Sequence, residues 1–191
     1  MYNNLISFVR RTFKVSEAFI PLHEPRFFGN EKKYLLDAVD STFVSSIGAY
    51  VDKFEDMMCK ITGAKHAIAL VNGTNALHLS LLLAGVEKDD EVLVQSLTFI
   101  ATANAISYCN ATPHFVDVDK ETLGLSPSLL KGYLDEIAEM RDGRCFNKKT
   151  GKRISACVPM HTFGFPLYID ELVGLCDEYN IPVVEDAAES L

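Results

Sequence analysis

The feature that most constrains the fold is an alternation of short apolar runs with helix-like segments from Ala67 onward. The five runs of strand length are AIALV (67–71), EVLVQS (91–96), HFVDVD (114–119), SACVPMH (155–161) and IPVVED (181–186). The segments between them carry apolar residues at helical spacing, such as Leu77 and Leu81. Apolar strands separated by helices predict an α/β fold with a mainly parallel sheet flanked by helices on both faces.

The first part of the chain follows a different pattern and is predicted to be a helical segment, residues 1–66, ahead of an α/β domain, residues 67–191. NEKKYLLDAVD (30–40) and YVDKFEDMMCKITG (50–63) predict amphipathic helices joined by the small, polar STFVSSIG. A second irregularity is RDGRCFNKKTGKRI (141–154), which predicts an exposed hairpin whose KKTGK forms a turn.

Charge and cysteine usage narrow the class of protein. The formal net charge is −8 and no long basic block is present, which argues against nucleic acid as a partner. Five cysteines without a C-x-x-C pair indicate reduced, mostly buried thiols and no metal site. The longest apolar stretch, ALHLSLLLAGV, is too short to span a membrane, so we expect a cytoplasmic protein.

Ligands of parallel sheets bind beyond the carboxyl ends of the strands, so four strand-to-helix turns are the candidate sites. NGTNALH (72–78) offers a helix N-terminus that could bind phosphate, or a plain N-cap by Thr74. In QSLTFIAT (95–102), Phe99 could cover a flat ring or belong to the core. In HTFGFP (161–166), His161 could contact a ligand or serve the structure.

The fourth turn, VVEDAAESL (183–191), places acids directly after an apolar strand. A carboxylate there could complete a helix cap, bind a metal or bind a cationic ring. A pyridinium nitrogen requires one buried carboxylate beside it, which keeps the nitrogen protonated so that the ring can accept electrons.

Together and in this order, the turns resemble the DegT/DnrJ/EryC1/StrS family of pyridoxal-phosphate-dependent nucleotide-sugar aminotransferases. The matching stretches are NGTNALH, LTFIATANAISYCNATPHFVDVD, PMHTFGFP and IPVVEDAAESL, and the likeness extends from IPLHEPRFFGNEKKYLLDAVDSTFVSS onward. The resemblance implies the large domain of the type I fold in incomplete form. It also implies the cofactor pyridoxal 5′-phosphate and a full-length homodimer, in which MYNNLISFVRRTF would be an interface arm or a surface helix.

The resemblance also implies roles for individual residues. Gly73, Thr74 and Asn75 would hold the cofactor phosphate, and Phe99 would stack on the pyridine ring. Asp186 would pair with the ring nitrogen.

The resemblance assigns roles to three further positions. Glu189 would lie near the oxygen attached to the cofactor's pyridine ring. Ser46 and His161 are candidates for substrate binding.

The reaction implied by the family is the amination of a nucleotide-linked 4-keto-6-deoxy sugar with glutamate as donor. STFVSSIGAYVDKFE and CFNKKTGKRI favour the branch that uses UDP-linked N-acetyl sugars in legionaminic acid or bacillosamine-type pathways. No catalytic residue is predicted in this chain, because the family's Schiff-base lysine is expected beyond Leu191. We therefore expect an N-terminal fragment that lacks the small domain, associates or is poorly stable, and is inactive alone.

Two other functions stay open. Some relatives replace the lysine by histidine and dehydrate sugars instead, and the residue that decides between the two is not among these 191. The chain could also belong to a non-catalytic α/β module that binds nucleotides or proteins.

Overall fold

The structure, a computed structural model, describes residues 2–21 and 24–190. Leu22, His23 and Leu191, which belong to the resembling stretches, lie outside the described residues. The chain divides into two compact units, Met1–Lys53 and Phe54–Leu191. Within the described ranges, no helix has the length and apolarity needed to cross a bilayer.

The first unit contains α1 (Asn3–Phe13), α2 (Glu31–Asp40) and the start of α3 (Ala49–Thr62). Both predicted amphipathic helices are therefore present. The first turn of α3 is joined to α2 by Tyr50, whose hydroxyl donates to Asp37 Oδ2 at 2.7 Å.

A parallel three-stranded sheet forms the centre of the second unit. Its strands are β1 (Glu91–Gln95), β2 (Thr112–Val116) and β5 (Ile154–Val158), in the order β2–β1–β5. Every residue of β1 and β5 is buried. The parallel sheet predicted for these three runs is confirmed. Each run forms a strand because a neighbouring strand pairs with its backbone N–H and C=O groups.

Helices cover both faces of this sheet. They are α4 (Gly73–Leu83), α5 (Ile100–Tyr108), α6 (Pro127–Ile137) and α7 (Ile169–Glu178). Val92 and Val94 pack with α4 and α5, whereas Leu93 packs with α6 and α7. This alternation is the period of two that a strand imposes on its side chains. Ser126 caps α6, and Pro127 occupies its first turn.

The fifth apolar run, residues 181–186, lies parallel to the end of β5 through isolated bridges. Val183 is paired with Cys157, and Asp186 with Met160. The Asp186 N–H donates to the Pro159 carbonyl at 2.8 Å. The segment therefore extends the sheet at the edge where the acidic turn begins.

The prediction of a buried strand at residues 67–71 is wrong. Ile68 is 75% and Val71 83% exposed, and no strand is formed there. A strand needs a neighbour to pair its backbone groups, and among the described residues none lies beside this run. The Ala69 N–H instead donates to the Glu55 carboxylate of α3 at 2.8 Å.

The predicted hairpin before β5 is present with shifted bounds. β3 (Ala138–Arg141) and β4 (Arg144–Asn147) pair antiparallel around Asp142 and Gly143, which both have positive φ. The KKTGK turn also forms, because the Asn147 N–H donates to the Lys152 carbonyl at 2.8 Å. The insertion is less exposed than predicted, since Asn147 is buried and donates to the Glu91 carboxylate at 2.8 Å.

Candidate functional site

The carboxyl ends of the central strands meet the N-termini of α4 and α5 around one cavity of about 320 Å³. Its lining combines two carboxylates, an exposed aromatic ring and the first turn of α4. The lining residues are Gly73, Thr74, Leu77, Phe99, Ala101, Met160, Asp186, Ala188 and Glu189. Five of the six residues predicted to hold the cofactor are thus brought together.

The first turn of α4 provides the positive end of the cavity. The N-cap is Asn72 rather than the alternative Thr74, and its side chain accepts from the Asn75 N–H at 2.9 Å. Among the described residues, no acceptor is bonded to the N–H of Gly73 or Thr74. Free N–H groups at a helix N-terminus favour an anion such as phosphate.

Phe99 forms an open aromatic wall. It is the N-cap residue of α5, and its extended backbone directs the chain from β1 into the helix. The residue is 67% exposed, which excludes the alternative that it belongs to the core. A large exposed ring bordering a polar cavity is suited to stacking on a flat ligand.

Asp186 is the buried carboxylate of the cavity, with only 5% of its surface exposed. Thr102 donates to its Oδ2 at 2.7 Å, and the Ala188 N–H donates to its Oδ1 at 3.3 Å. The backbone on each side is bonded to the end of β5, since the His161 N–H donates to the Asp186 carbonyl at 3.2 Å. The carboxylate is therefore fixed in position by both its side chain and its main chain.

Glu189 joins the acidic turn to the loop after β5. Its Oε2 accepts from the Phe163 N–H at 2.7 Å. Phe163 and Gly164 both have positive φ, at 55° and 79°. A Cβ at Gly164 would lie 2.6 Å from the Glu189 carbonyl oxygen. Glycine is required here both for the backbone conformation and for the close approach.

Replacing Gly164 with alanine is expected to lower the free energy of unfolding by about 2 kcal/mol or more, because a strained φ and a backbone clash add. Urea denaturation of the full-length protein would measure the change. The matched control is Gly174→Ala in α7, where an added Cβ meets nothing within 4 Å. The control should be neutral or stabilising by up to about 1 kcal/mol. Equal effects of the two substitutions would contradict the close approach.

Neither of the two predicted substrate residues is among those that line this cavity. His161 is buried, and its Nδ1 accepts from the Leu167 N–H at 3.3 Å while Nε2 lies 3.4 Å from Glu185 Oε1. It lines a separate cavity of about 620 Å³, which Glu189 also borders. Ser46 is exposed in the first unit.

Gln95 connects the loops around the site and is not among the residues predicted from sequence. It is fully buried at the end of β1. Its Nε2 donates to the Leu97 carbonyl and to Thr162 Oγ1, at 2.8 and 2.9 Å. Its Oε1 accepts from the Leu125 and Met160 N–H groups, at 2.9 and 3.0 Å. One amide thereby joins three loops at the carboxyl edge of the sheet.

The cysteines take no part in this cavity. Four of the five are buried and all are free, as predicted. Burial raises the pKa of Cys145 to about 11, and the neighbouring Cys176 thiol together with burial raises the pKa of Cys157. Because the thiolate is the nucleophile, these residues serve packing at neutral pH. Within the described part of the chain, no cluster of three metal-ligating side chains occurs.

The DegT/DnrJ/EryC1/StrS aminotransferase family model matches residues 27–191, a range that contains every residue lining the 320 Å³ cavity. The chain belongs to this family. The family predicted from the four turns is therefore confirmed.

Two curated relatives and one solved structure illustrate the similarity. The chain is 38% identical over 172 residues to GDP-perosamine synthase of Caulobacter vibrioides and to the putative pyridoxal phosphate-dependent aminotransferase EpsN of Bacillus subtilis. Each alignment covers 90% of this chain and 42% of the relative. DesI in the presence of its TDP-sugar product matches with a TM-score of 0.69 and 30% identity, over 93% of this chain and 42% of that one.

The chain thus spans less than half the length of the DegT/DnrJ/EryC1/StrS relatives it matches. Their fold is shared, which confirms the predicted α/β class. Members of the family are pyridoxal phosphate-dependent aminotransferases, so the predicted cofactor is confirmed as the cofactor of the family.

Proposed function

We propose that the full-length protein is a pyridoxal-phosphate-dependent aminotransferase that converts a nucleotide-linked 4-keto-6-deoxy sugar to the 4-amino sugar, with glutamate as donor. The observation that carries the proposal is the buried Asp186 carboxylate, held by Thr102 in a cavity that also presents a helix N-terminus. Family membership supplies the reaction class.

The residues of the cavity fit this cofactor chemically. Pyridoxal phosphate has an anionic end, a flat ring and a ring nitrogen that carries a proton when paired with a carboxylate. The free N–H groups of Gly73 and Thr74 suit the anionic phosphate. The exposed Phe99 suits the flat ring, and Asp186 suits the protonated ring nitrogen. Asp186 Oδ1 accepts only one long hydrogen bond from the described residues, so it retains acceptor capacity.

Each of these residues has a defined task in the proposal. Gly73, Thr74 and Asn75 would hold the phosphate. Because the Asn75 N–H is bonded to Asn72, Asn75 would contribute through its side chain. Phe99 would stack on the ring. When bound, pyridoxal phosphate supplies an electron sink for the carbon that loses or gains a proton.

The two carboxylates would act on different parts of the ring. Asp186 would keep the ring nitrogen protonated, which maintains the electron sink. Glu189 would lie beside the ring oxygen, where its bond to the Phe163 N–H holds the carboxylate in place. His161 and Ser46 remain proposals for substrate binding.

The group that moves the proton is proposed to be a lysine in the part of the protein that these 191 residues do not include. The relatives are more than twice as long as the matched range, which leaves room for the small domain. We accordingly expect residues 1–191 to be inactive alone, and we propose that the full-length enzyme is a homodimer.

The nucleotide of the substrate is the finer part of the proposal. The segments STFVSSIGAYVDKFE and CFNKKTGKRI favour a UDP-linked N-acetyl sugar. Relatives that are named for GDP-perosamine or were solved with a TDP-sugar product make the GDP- and dTDP-linked sugars the alternatives to compare.

The test is an assay of the full-length protein with glutamate on UDP-, GDP- and dTDP-linked 4-keto-6-deoxy sugars, with products identified by mass. Amination of at least one sugar, with formation of 2-oxoglutarate, is the expected result. Loss of water without amination would instead assign the protein to the dehydratases. A protein that binds pyridoxal phosphate but transforms none of the sugars would contradict the proposed substrate class.

A further inference from the structure

Two hydroxyl groups at the start of α5 lead to the cavity carboxylate. Thr102, which is fully buried, lies with its Oγ1 2.7 Å from Asp186 Oδ2 and 2.8 Å from Thr98 Oγ1. Thr102 and Asp186 are 84 positions apart in sequence. Thr102 therefore links α5 directly to the acidic turn.

The direction of these hydrogen bonds follows from proton counting. An ionised carboxylate only accepts, so the single hydroxyl proton of Thr102 is donated to Asp186. The Thr98 hydroxyl lies 2.8 Å from Thr102 Oγ1 and 3.1 Å from Met160 Sδ. Because a thioether sulfur is a weak acceptor, we assign its proton to Thr102. Both bonds consequently point toward the negative charge, and hydrogen bonds to a charged acceptor are stronger than neutral ones.

The same turn of α5 also carries the aromatic wall. The Thr102 N–H donates to the Phe99 carbonyl at 3.1 Å. A displacement of this turn would therefore move the exposed ring and the donor to the carboxylate together. One turn of helix thus sets both the wall of the cavity and the orientation of its buried charge.

We propose that Thr102 is a positioning residue that fixes the Asp186 carboxylate toward the protonated ring nitrogen of the cofactor, with Thr98 as the donor behind it. This inference rests on the proposed function, because it assigns the nitrogen as the partner of Asp186. A Thr102 that only joined α5 to the sheet would stabilise the fold without distinguishing one flat ligand from another.

The experiment measures the Kd of the full-length apoprotein for pyridoxal phosphate and for its carbocyclic analogue, in which carbon replaces the ring nitrogen. Thr102→Val keeps the shape of the side chain and removes the hydroxyl. We expect this variant to bind pyridoxal phosphate about tenfold more weakly, the effect of losing one charge-assisted hydrogen bond. For the analogue the change should stay within about twofold, because no N–H faces the carboxylate.

Thr102→Ser, which restores the hydroxyl, should bind pyridoxal phosphate within about twofold of the unsubstituted protein. Thermal unfolding of each apoprotein identifies variants that do not fold. Should Thr102→Val be among them, Thr102→Cys makes the same comparison, because a thiol is a weak donor.

The possible outcomes distinguish a failure of the role of Thr102 from a failure of the proposed function. An equal loss for both ligands, or no loss for either, would overturn the role of Thr102 and leave the proposed function standing. An unsubstituted full-length protein that binds neither ligand would overturn both. A loss confined to the ligand with the ring nitrogen, with recovery in Thr102→Ser, supports the role of Thr102.

Discussion

Gln95→Leu is expected to lower the free energy of unfolding of the full-length protein by about 3–5 kcal/mol. The substitution removes four hydrogen bonds at once. It also leaves the buried N–H groups of Leu125 and Met160 without their acceptor, and an unsatisfied buried group costs about 1–3 kcal/mol. Leucine fills a similar volume, so a change in packing alone would not produce this loss.

Urea denaturation followed by circular dichroism measures the effect. The matched control is Ser96→Ala at the adjacent exposed position, which should stay within about 0.5 kcal/mol. A loss below about 1 kcal/mol in Gln95→Leu would contradict the role of the amide as the connection between three loops.

Asp186→Asn in the full-length enzyme is expected to lower kcat/KM for amination by roughly 10²–10⁴-fold, because breaking a buried charge pair costs about 3–5 kcal/mol. The amide keeps the shape of the side chain but cannot hold a proton on the ring nitrogen. Steady-state kinetics with glutamate and the preferred sugar would measure the loss. The control Asp177→Asn makes the same chemical change on the exposed surface of α7 and should stay within about twofold.

A loss in Asp186→Asn no larger than in the Asp177 control would mean that the ring nitrogen has another partner. Circular dichroism of both variants distinguishes this result from a general loss of folding.

The parts of the fold that the sequence predicted are those set by local pattern. The helix at Pro127 has its cap and its apolar spacing within a few residues, and β1 is apolar over its whole length. The run at 67–71 has the same apolar character but forms no strand. Whether this run forms a strand depends on a neighbouring strand, which a local pattern does not specify.

The candidate site likewise contains residues that a local pattern predicts and residues that it does not. Phe99 and Asp186 follow runs that pair in the sheet, so the rule for parallel sheets was enough to bring them to one edge. Gly73 lines the same cavity although the run before it forms no strand. Thr102 and Gln95 were not predicted because their partners are distant in sequence, such as Thr162, 67 positions from Gln95. A polar glutamine ending the apolar run EVLVQ was the only local sign of that network.

The most direct measurement is a titration of the full-length apoprotein with pyridoxal phosphate, followed by absorbance. The account predicts a yellow protein that binds one cofactor per chain. It also predicts that the visible band is lost on borohydride reduction, because the cofactor would be bound covalently to the proposed lysine. A colourless protein that ignores added cofactor would contradict the account and favour a non-catalytic binding module.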